Sequence, residues 1–126
     1  MNHKTVIAIG ALFAGLSVAI GAFAAHGLKK VLDGKALAWI DTGAEYQMYH
    51  ALGMLALGFA LKHWPKWTAL KMAASSFVIG ILLFSGSLYV MAATQITALG
   101  IITPFGGLSF LVGWGLLVMA ALRQAE

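Results

Sequence analysis

The chain has 126 residues, of which 61% are hydrophobic and only 10% are charged. Soluble domains contain roughly 45–50% apolar and about 25% charged residues, so this chain has too little polar surface to cover a water-soluble body. A soluble monomer is excluded, and the length suits one membrane domain with four helices. The net charge is +4, but the basic residues are scattered between apolar blocks, which does not fit a nucleic-acid-binding patch.

The motifs that carry common chemistry are missing from the sequence. There is no cysteine, which excludes disulfides, thiolate nucleophiles, iron–sulfur clusters and cysteine-type zinc sites. No Walker loop, dinucleotide fingerprint or His-Glu-x-x-His motif occurs. We therefore expect no cofactor, no metal ion and no enzymatic activity.

The first apolar block runs from Thr5 to Ala25 without a charge and predicts the first membrane span, about residues 5–25. A cleaved signal peptide is the alternative, because Lys4 could be its basic start and Ala22-Phe23-Ala24 fits the cleavage pattern. The block is longer than the roughly 7–15 apolar residues of a signal peptide, which favours a retained span.

Residues 26–41 differ in character from the blocks around them. Charged residues alternate there with apolar ones at helical spacing, and Trp39 is suited to the depth of the lipid headgroups. This pattern predicts an amphipathic segment of one or two short helices along the membrane surface, interrupted at Gly34.

The second span is predicted at about residues 43–62. Thr42-Gly43-Ala44-Glu45 matches the capping box, in which the Thr and Glu side chains bond free backbone N–H groups at a helix start. A basic and aromatic turn follows the span and contains the helix-breaking Pro65.

The last two spans are predicted at about residues 69–93 and 104–122. No charged residue occurs from Met72 to Leu122, and the polarity around Thr94 and Gln95 with Pro104 after Thr103 marks the break. Lys4, Lys62, Lys66, Lys71 and Arg123 fall on one side of this four-span arrangement, and Lys29, Lys30 and Lys35 fall on the other. This bias favours both termini in the cytoplasm.

Small residues recur at four-residue spacing within the predicted spans. Because lipid is as apolar as leucine, membrane helices associate through close packing on such residues. We expect contacts within one protomer or in an oligomer at Gly15, Gly21, Gly80, Gly106 and Gly113.

A few polar residues inside the predicted spans are the candidate functional cluster. Ionisable groups in a membrane are costly, so Glu45 and His50 are candidates, although Glu45 could be a cap at the membrane surface and His50 could bond Tyr46, a serine or a backbone carbonyl. A proton relay or a site for a polar head group is the sharper hypothesis, while a metal site is disfavoured. The full set consists of His26, Glu45, Tyr46, His50, Ser85 and Tyr89.

Taken together, these segments resemble the YgdD-like family of small inner-membrane proteins, a domain of unknown function numbered 423. The resemblance covers nearly the whole chain in the right order. It rests on Gly21-Ala22-Phe23-Ala24-Ala25-His26, Trp39, Thr42-Gly43-Ala44-Glu45-Tyr46-Gln47 with His50, Leu83-Phe84-Ser85-Gly86-Ser87-Leu88-Tyr89, and Thr103-Pro104-Phe105-Gly106-Gly107 with Gly113-Trp114. It implies four helices in a bacterial inner membrane, retention of the first span and no known activity.

Three functions remain in competition. The first is a non-enzymatic bundle in the lipid bilayer that binds a second copy or another membrane protein. The second is a small transporter or channel-like carrier whose polar path uses the candidate cluster. The third, an enzyme acting on lipid or quinone, has only Glu45 and His50 as an acid and base pair and ranks last.

Overall fold

A computed structural model describes residues 1–123 of the chain. Within that range the protein is all-α, and its four helices confirm the fold class that the composition predicts. Helix α1 is His3–His26, α2 is Gly34–His63, α3 is Thr68–Gly80, α4 is Gly86–Thr94 and α5 is Thr103–Arg123. A five-residue π-helical turn, Ile81–Ser85, joins α3 to α4, so these two form one continuous helix of the bundle.

Helix α2 begins well before the predicted start at Thr42. The Asp33 side chain accepts a 2.8 Å hydrogen bond from the backbone N–H of Ala36 and so caps the helix. Thr42 and Glu45 lie inside α2, where backbone N–H groups are already bonded along the helix, so the predicted capping box is wrong. Gly34 is the first helical residue and does not interrupt a helix there.

The connectors on either side of the third helix differ in construction. The turn between α2 and α3 contains Pro65, and the rings of Trp64 and Trp67 stack there with centroids 5.0 Å apart. At the other end Gln95 adopts a left-handed conformation with φ of 61° and ends α4. A short 3₁₀ turn, Thr97–Ile101, then leads into α5.

Two hydrogen bonds fix the alignment of α1 against α2. The Ser17 hydroxyl donates to the carbonyl oxygen of Ala44 at 2.6 Å, and the Gln47 amide donates to that of Phe13 at 2.8 Å. The two helices are antiparallel, so residues 13–17 of α1 lie level with residues 44–47 of α2. This alignment sets the depth of every other residue on α2.

Close glycine contacts hold α5 against α3 and the π-helical turn. A Cβ placed on Gly106 would lie 2.7 Å from Cα of Phe84, and a Cβ on Gly113 would lie 3.3 Å from the Ala73 carbonyl oxygen. Gly80 faces Phe110 in the same way. These three glycines therefore allow helix backbones to approach as small residues do in membrane bundles.

Gly15 and Gly21, the other two predicted packing residues, make no close helix contact within the described chain. A Cβ on either residue would meet no other atom within 4 Å. Gly15 lies on the side of α1 opposite its buried residues Val6, Gly10, Ser17 and Ala24, whereas Gly21 is half-buried at the edge of that buried side.

Within residues 1–123, three stretches are long and apolar enough to cross a membrane by length and composition, namely His3–Lys30, Thr68–Thr94 and Thr97–Arg123. Helix α2 has 30 residues and is more polar, because it carries Lys35, Asp41, Glu45 and Lys62. It nevertheless runs alongside α1, so its middle shares the depth of the middle of α1.

Candidate functional site

Glu45 lies near the mid-depth of the bundle. The two hydrogen bonds between α1 and α2 bracket it and place it level with the middle of the uncharged run from Thr5 to Ala25. Along α2 it is about 15 Å from Lys35 and about 25 Å from Lys62 at the usual helical rise. A hydrocarbon layer of about 30 Å centred on the middle of α1 would therefore enclose it, together with Asp41 one turn away. Glu45 lies well inside α2, so the predicted position in the first turn of a helix is wrong.

The Glu45 side chain is on the exposed side of α2. The hydroxyl of Tyr49, one turn further along, donates a hydrogen bond to its carboxylate. Tyr49 itself is half exposed, so this pair faces the bilayer and not the core. A carboxylate at this depth is costly and marks a candidate functional position.

His50, in contrast, is buried and fully bonded. Its Nδ1 lies 2.7 Å from the carbonyl oxygen of Tyr46, and the indole N–H of Trp114 donates to its Nε2 at 2.9 Å. Because indole only donates, Nε2 must accept and Nδ1 must carry the proton. The ring stacks on Phe110 at 3.5 Å between centroids and meets Phe77 edge-on at 5.1 Å. Both nitrogens have structural partners, which matches the carbonyl-bonded alternative for His50.

A groove of about 730 Å³ separates α2 from α5 beside these residues. Its walls are predominantly apolar and rich in aromatic rings. The rings come from Tyr46, Tyr49 and His50 of α2, Phe84 of the π-helical turn, and Phe110 and Trp114 of α5. This volume falls within the range of roughly 300–1,000 Å³ typical of small-molecule sites.

Ser85 and Tyr89 belong to a separate polar network between α2 and α4. The Ser85 hydroxyl donates to the carbonyl oxygen of Gly43 at 2.6 Å, and the Tyr89 hydroxyl donates to Oε1 of Gln47 at 2.7 Å. The amide nitrogen of Gln47 bonds α1, so this one side chain joins three helices. Gln47 is not among the predicted candidate residues, although its position in a predicted span was a usable signal.

The structure therefore divides the candidate cluster into parts. His50 and Tyr46 lie by the groove, Ser85 and Tyr89 bond toward Gly43 and Gln47, and His26 is exposed at the end of α1. No continuous polar path through these six residues is present within residues 1–123. Over the same range no three His, Asp or Glu side chains come together as metal ligands would.

Apolar helices joined by internal polar contacts define a helical membrane protein. Residues 20–107 match a family model described as "Protein of unknown function (DUF423)", and the chain belongs to this family. The family resemblance given by the sequence motifs is thereby confirmed.

The chain is similar over most of its length to several bacterial proteins. It is 50% identical to a UPF0382 membrane protein of Haemophilus influenzae over 113 residues, which cover 90% of this chain and 87% of the relative. It is 42% identical to the UPF0382 membrane protein YwdK of Bacillus subtilis, covering 95% of this chain and 98% of the relative. It is 37% identical to the UPF0382 inner membrane protein YgdD of Escherichia coli, covering 98% and 93%. No solved structure matches the chain.

Proposed function

We propose that this protein is a non-enzymatic component of the bacterial inner membrane that associates with a partner helix, from a second copy or from another membrane protein. The observation that carries this proposal is the outer face of α1. Small residues line that face, and the structure leaves it uncovered.

A stripe of small residues on α1 lies opposite its contact with α2. At 3.6 residues per turn, Ala8, Ala11, Gly15, Ala19 and Ala22 share one stripe, and all five are exposed. Larger exposed side chains, including Leu12 and Phe23, flank the stripe. Lipid chains do not require small residues, whereas a second helix packs closely on them.

The internal polar groups support a structural role for themselves and not catalysis. His50 has a bonding partner at each ring nitrogen, and Ser85 and Tyr89 each bond α2. Glu45 and His50, the acid and base pair of the enzyme hypothesis, have different partners, Tyr49 and Trp114. This separation favours an interaction protein over an enzyme.

Both termini are placed in the cytoplasm by this proposal, and residues 27–33, which join α1 to α2, lie at the opposite membrane surface. Residues 34–41 of the predicted interfacial segment belong to α2 instead. The ammonium of Lys35 sits 5.5 Å from the ring centre of Trp39, an arrangement suited to the headgroup region. The cysteine-free chain allows a direct test with single cysteines at Lys66 and Lys30. In intact spheroplasts, a membrane-impermeant thiol reagent should label Lys30→Cys and spare Lys66→Cys. The reverse pattern would invert the orientation.

The association itself is tested with a matched pair of substitutions. Gly15→Leu places a bulky side chain on the stripe of α1, and Gly115→Leu does the same on α5; a Cβ meets nothing within 4 Å at either position. Both variants should fold. Native mass spectrometry of the protein in membrane-derived nanodiscs should show partner-bound species for the parent chain and Gly115→Leu, with a loss of about tenfold for Gly15→Leu. A parent chain that is strictly monomeric with no co-purifying protein would refute the proposal.

A further inference from the structure

We infer that the aromatic groove between α2 and α5 binds a lipophilic organic cation, with the carboxylate of Glu45 as its counter-charge. This site goes beyond the proposed association, which uses α1. It also uses a different side of α2, because α1 contacts α2 at Ala44 and Gln47, whereas the groove is lined by Tyr46 and Tyr49.

The size and lining of the groove define the first part of the ligand. Its volume of about 730 Å³ accommodates a compact molecule of drug size. Its walls offer aromatic faces and very few free polar groups, since both nitrogens of His50 and the indole N–H of Trp114 are already engaged. A ligand that enters must therefore be predominantly apolar, with bulk suited to packing against rings.

The charge beside the groove defines the second part of the ligand. Tyr49 both lines the groove and donates its hydroxyl to the carboxylate of Glu45, so the acid lies at the groove edge, one hydrogen bond from the wall. A carboxylate in hydrocarbon stays ionised only when a positive partner compensates its charge. The aromatic faces of Tyr46 and Trp114 also attract a cation through their ring electrons. The aromatic walls and the carboxylate at the groove edge thus both favour a positively charged ligand.

The depth of the groove excludes ordinary membrane lipids as the source of that charge. Glu45 is level with the middle of α1, about 15 Å along α2 from Lys35. Lipid headgroups carry their charges at the bilayer surface, beyond the reach of this position. The ligand must bring its own positive charge into the hydrocarbon, as a cation shielded by apolar substituents does.

Two probe ions of nearly equal size and shape but opposite charge provide the experiment. The full-length protein in detergent micelles is equilibrated by dialysis with radiolabelled tetraphenylphosphonium or tetraphenylborate, and binding to protein-free micelles is subtracted. The phosphonium should bind saturably and the borate should not. Glu45→Gln should weaken phosphonium binding on the order of tenfold. Tyr49→Phe, which keeps the ring and removes the hydroxyl, should weaken it less.

Asp41→Asn is the matched control. Asp41 is an exposed carboxylate one turn before Glu45 on the same helix. Unlike Glu45, which bonds the groove-lining Tyr49, it makes no hydrogen bond to a residue of the groove within the described chain. This variant removes the same charge from the chain and should leave phosphonium binding unchanged. Circular dichroism and gel filtration of each variant verify that the helices remain folded.

Three results would overturn the inference. Equal binding of the phosphonium and the borate would show an apolar groove that ignores charge, as expected for a site filled by lipid chains. Equal losses in Glu45→Gln and Asp41→Asn would show attraction to overall charge only. Absence of saturable phosphonium binding to the folded parent chain would exclude the site. Each result is independent of whether Gly15→Leu disrupts association, so the two proposals fail separately.

Discussion

The indole N–H of Trp114 donates a 2.9 Å hydrogen bond to Nε2 of His50, and this bond joins α5 to α2 across an otherwise apolar contact. The imidazole is held on its other side by the Tyr46 carbonyl and on its face by Phe110. His50 thus acts as a polar link between two helices, because in lipid an interhelical hydrogen bond contributes where apolar burial contributes little.

Replacing Trp114 with Phe should destabilise the bundle by about 1–2 kcal/mol, because Nε2 of the buried His50 loses its donor. The measurement is reversible unfolding in mixed micelles with increasing sodium dodecyl sulfate. Trp64→Phe is the control, since Trp64 has the same 39% exposure as Trp114 and lies in the turn after α2. Equal stability of the two variants would contradict a linking role for the hydrogen bond.

Gln47 and Tyr89 should behave as a coupled pair. Gln47→Met removes bonds to both Phe13 and Tyr89, while Tyr89→Phe removes only the second of these bonds. We expect a loss of about 1–2 kcal/mol for Gln47→Met and a smaller loss for Tyr89→Phe. The double variant should lose less than the sum of the two, because the shared bond can be removed only once. Strict additivity in the unfolding titration would show that the bond contributes nothing.

Gly106 and Gly107 are neighbours in α5, and we expect alanine substitutions at these two positions to affect stability differently. A Cβ on Gly106 would meet the backbone of Phe84, with Cα at 2.7 Å, so Gly106→Ala should cost about 1–3 kcal/mol as the helices are forced apart. A Cβ on Gly107 comes no closer than 3.9 Å to the Phe84 ring, and Gly107→Ala should be neutral or slightly stabilising. Thermal melts of both variants decide between these outcomes, and a tolerated Gly106→Ala would contradict the close approach.

The sequence predicts where helices occur along the chain better than it predicts which side of each helix packs against its neighbours. Apolar length and the helix-breaking Pro65 are strong local signals, and α2 does end just before that turn. The predicted start of α2 is wrong because two caps compete. The side chain of Asp33 bonds the first turn of the helix, while Thr42 lies within it. The local sequence does not determine whether Asp33 or Thr42 caps the helix.

The glycines show that the local sequence also does not identify which side of a helix is packed. Four-residue spacing indicates Gly15 and Gly21 as packing residues, yet α1 closely contacts α2 at Gly10, whose added Cβ would lie 3.0 Å from the Ala51 carbonyl oxygen. A helix that is apolar all round carries no periodic signal to identify its packed side. The level of Glu45 along the bundle likewise depends on the two bonds that align α1 with α2, and the sequence does not specify these bonds.

The most direct test of the central claim, that Glu45 lies inside the bilayer, is carboxyl labelling in native membranes. A hydrophobic carbodiimide partitions into lipid, while a water-soluble one reacts with carboxylates in water, and mass spectrometry assigns the modified residue among the four acidic side chains. Glu45 should be modified by the hydrophobic reagent and spared by the soluble one, whereas Asp33, exposed at the start of α2, should show the opposite preference. Equal modification of Glu45 and Asp33 by the water-soluble reagent would contradict the account.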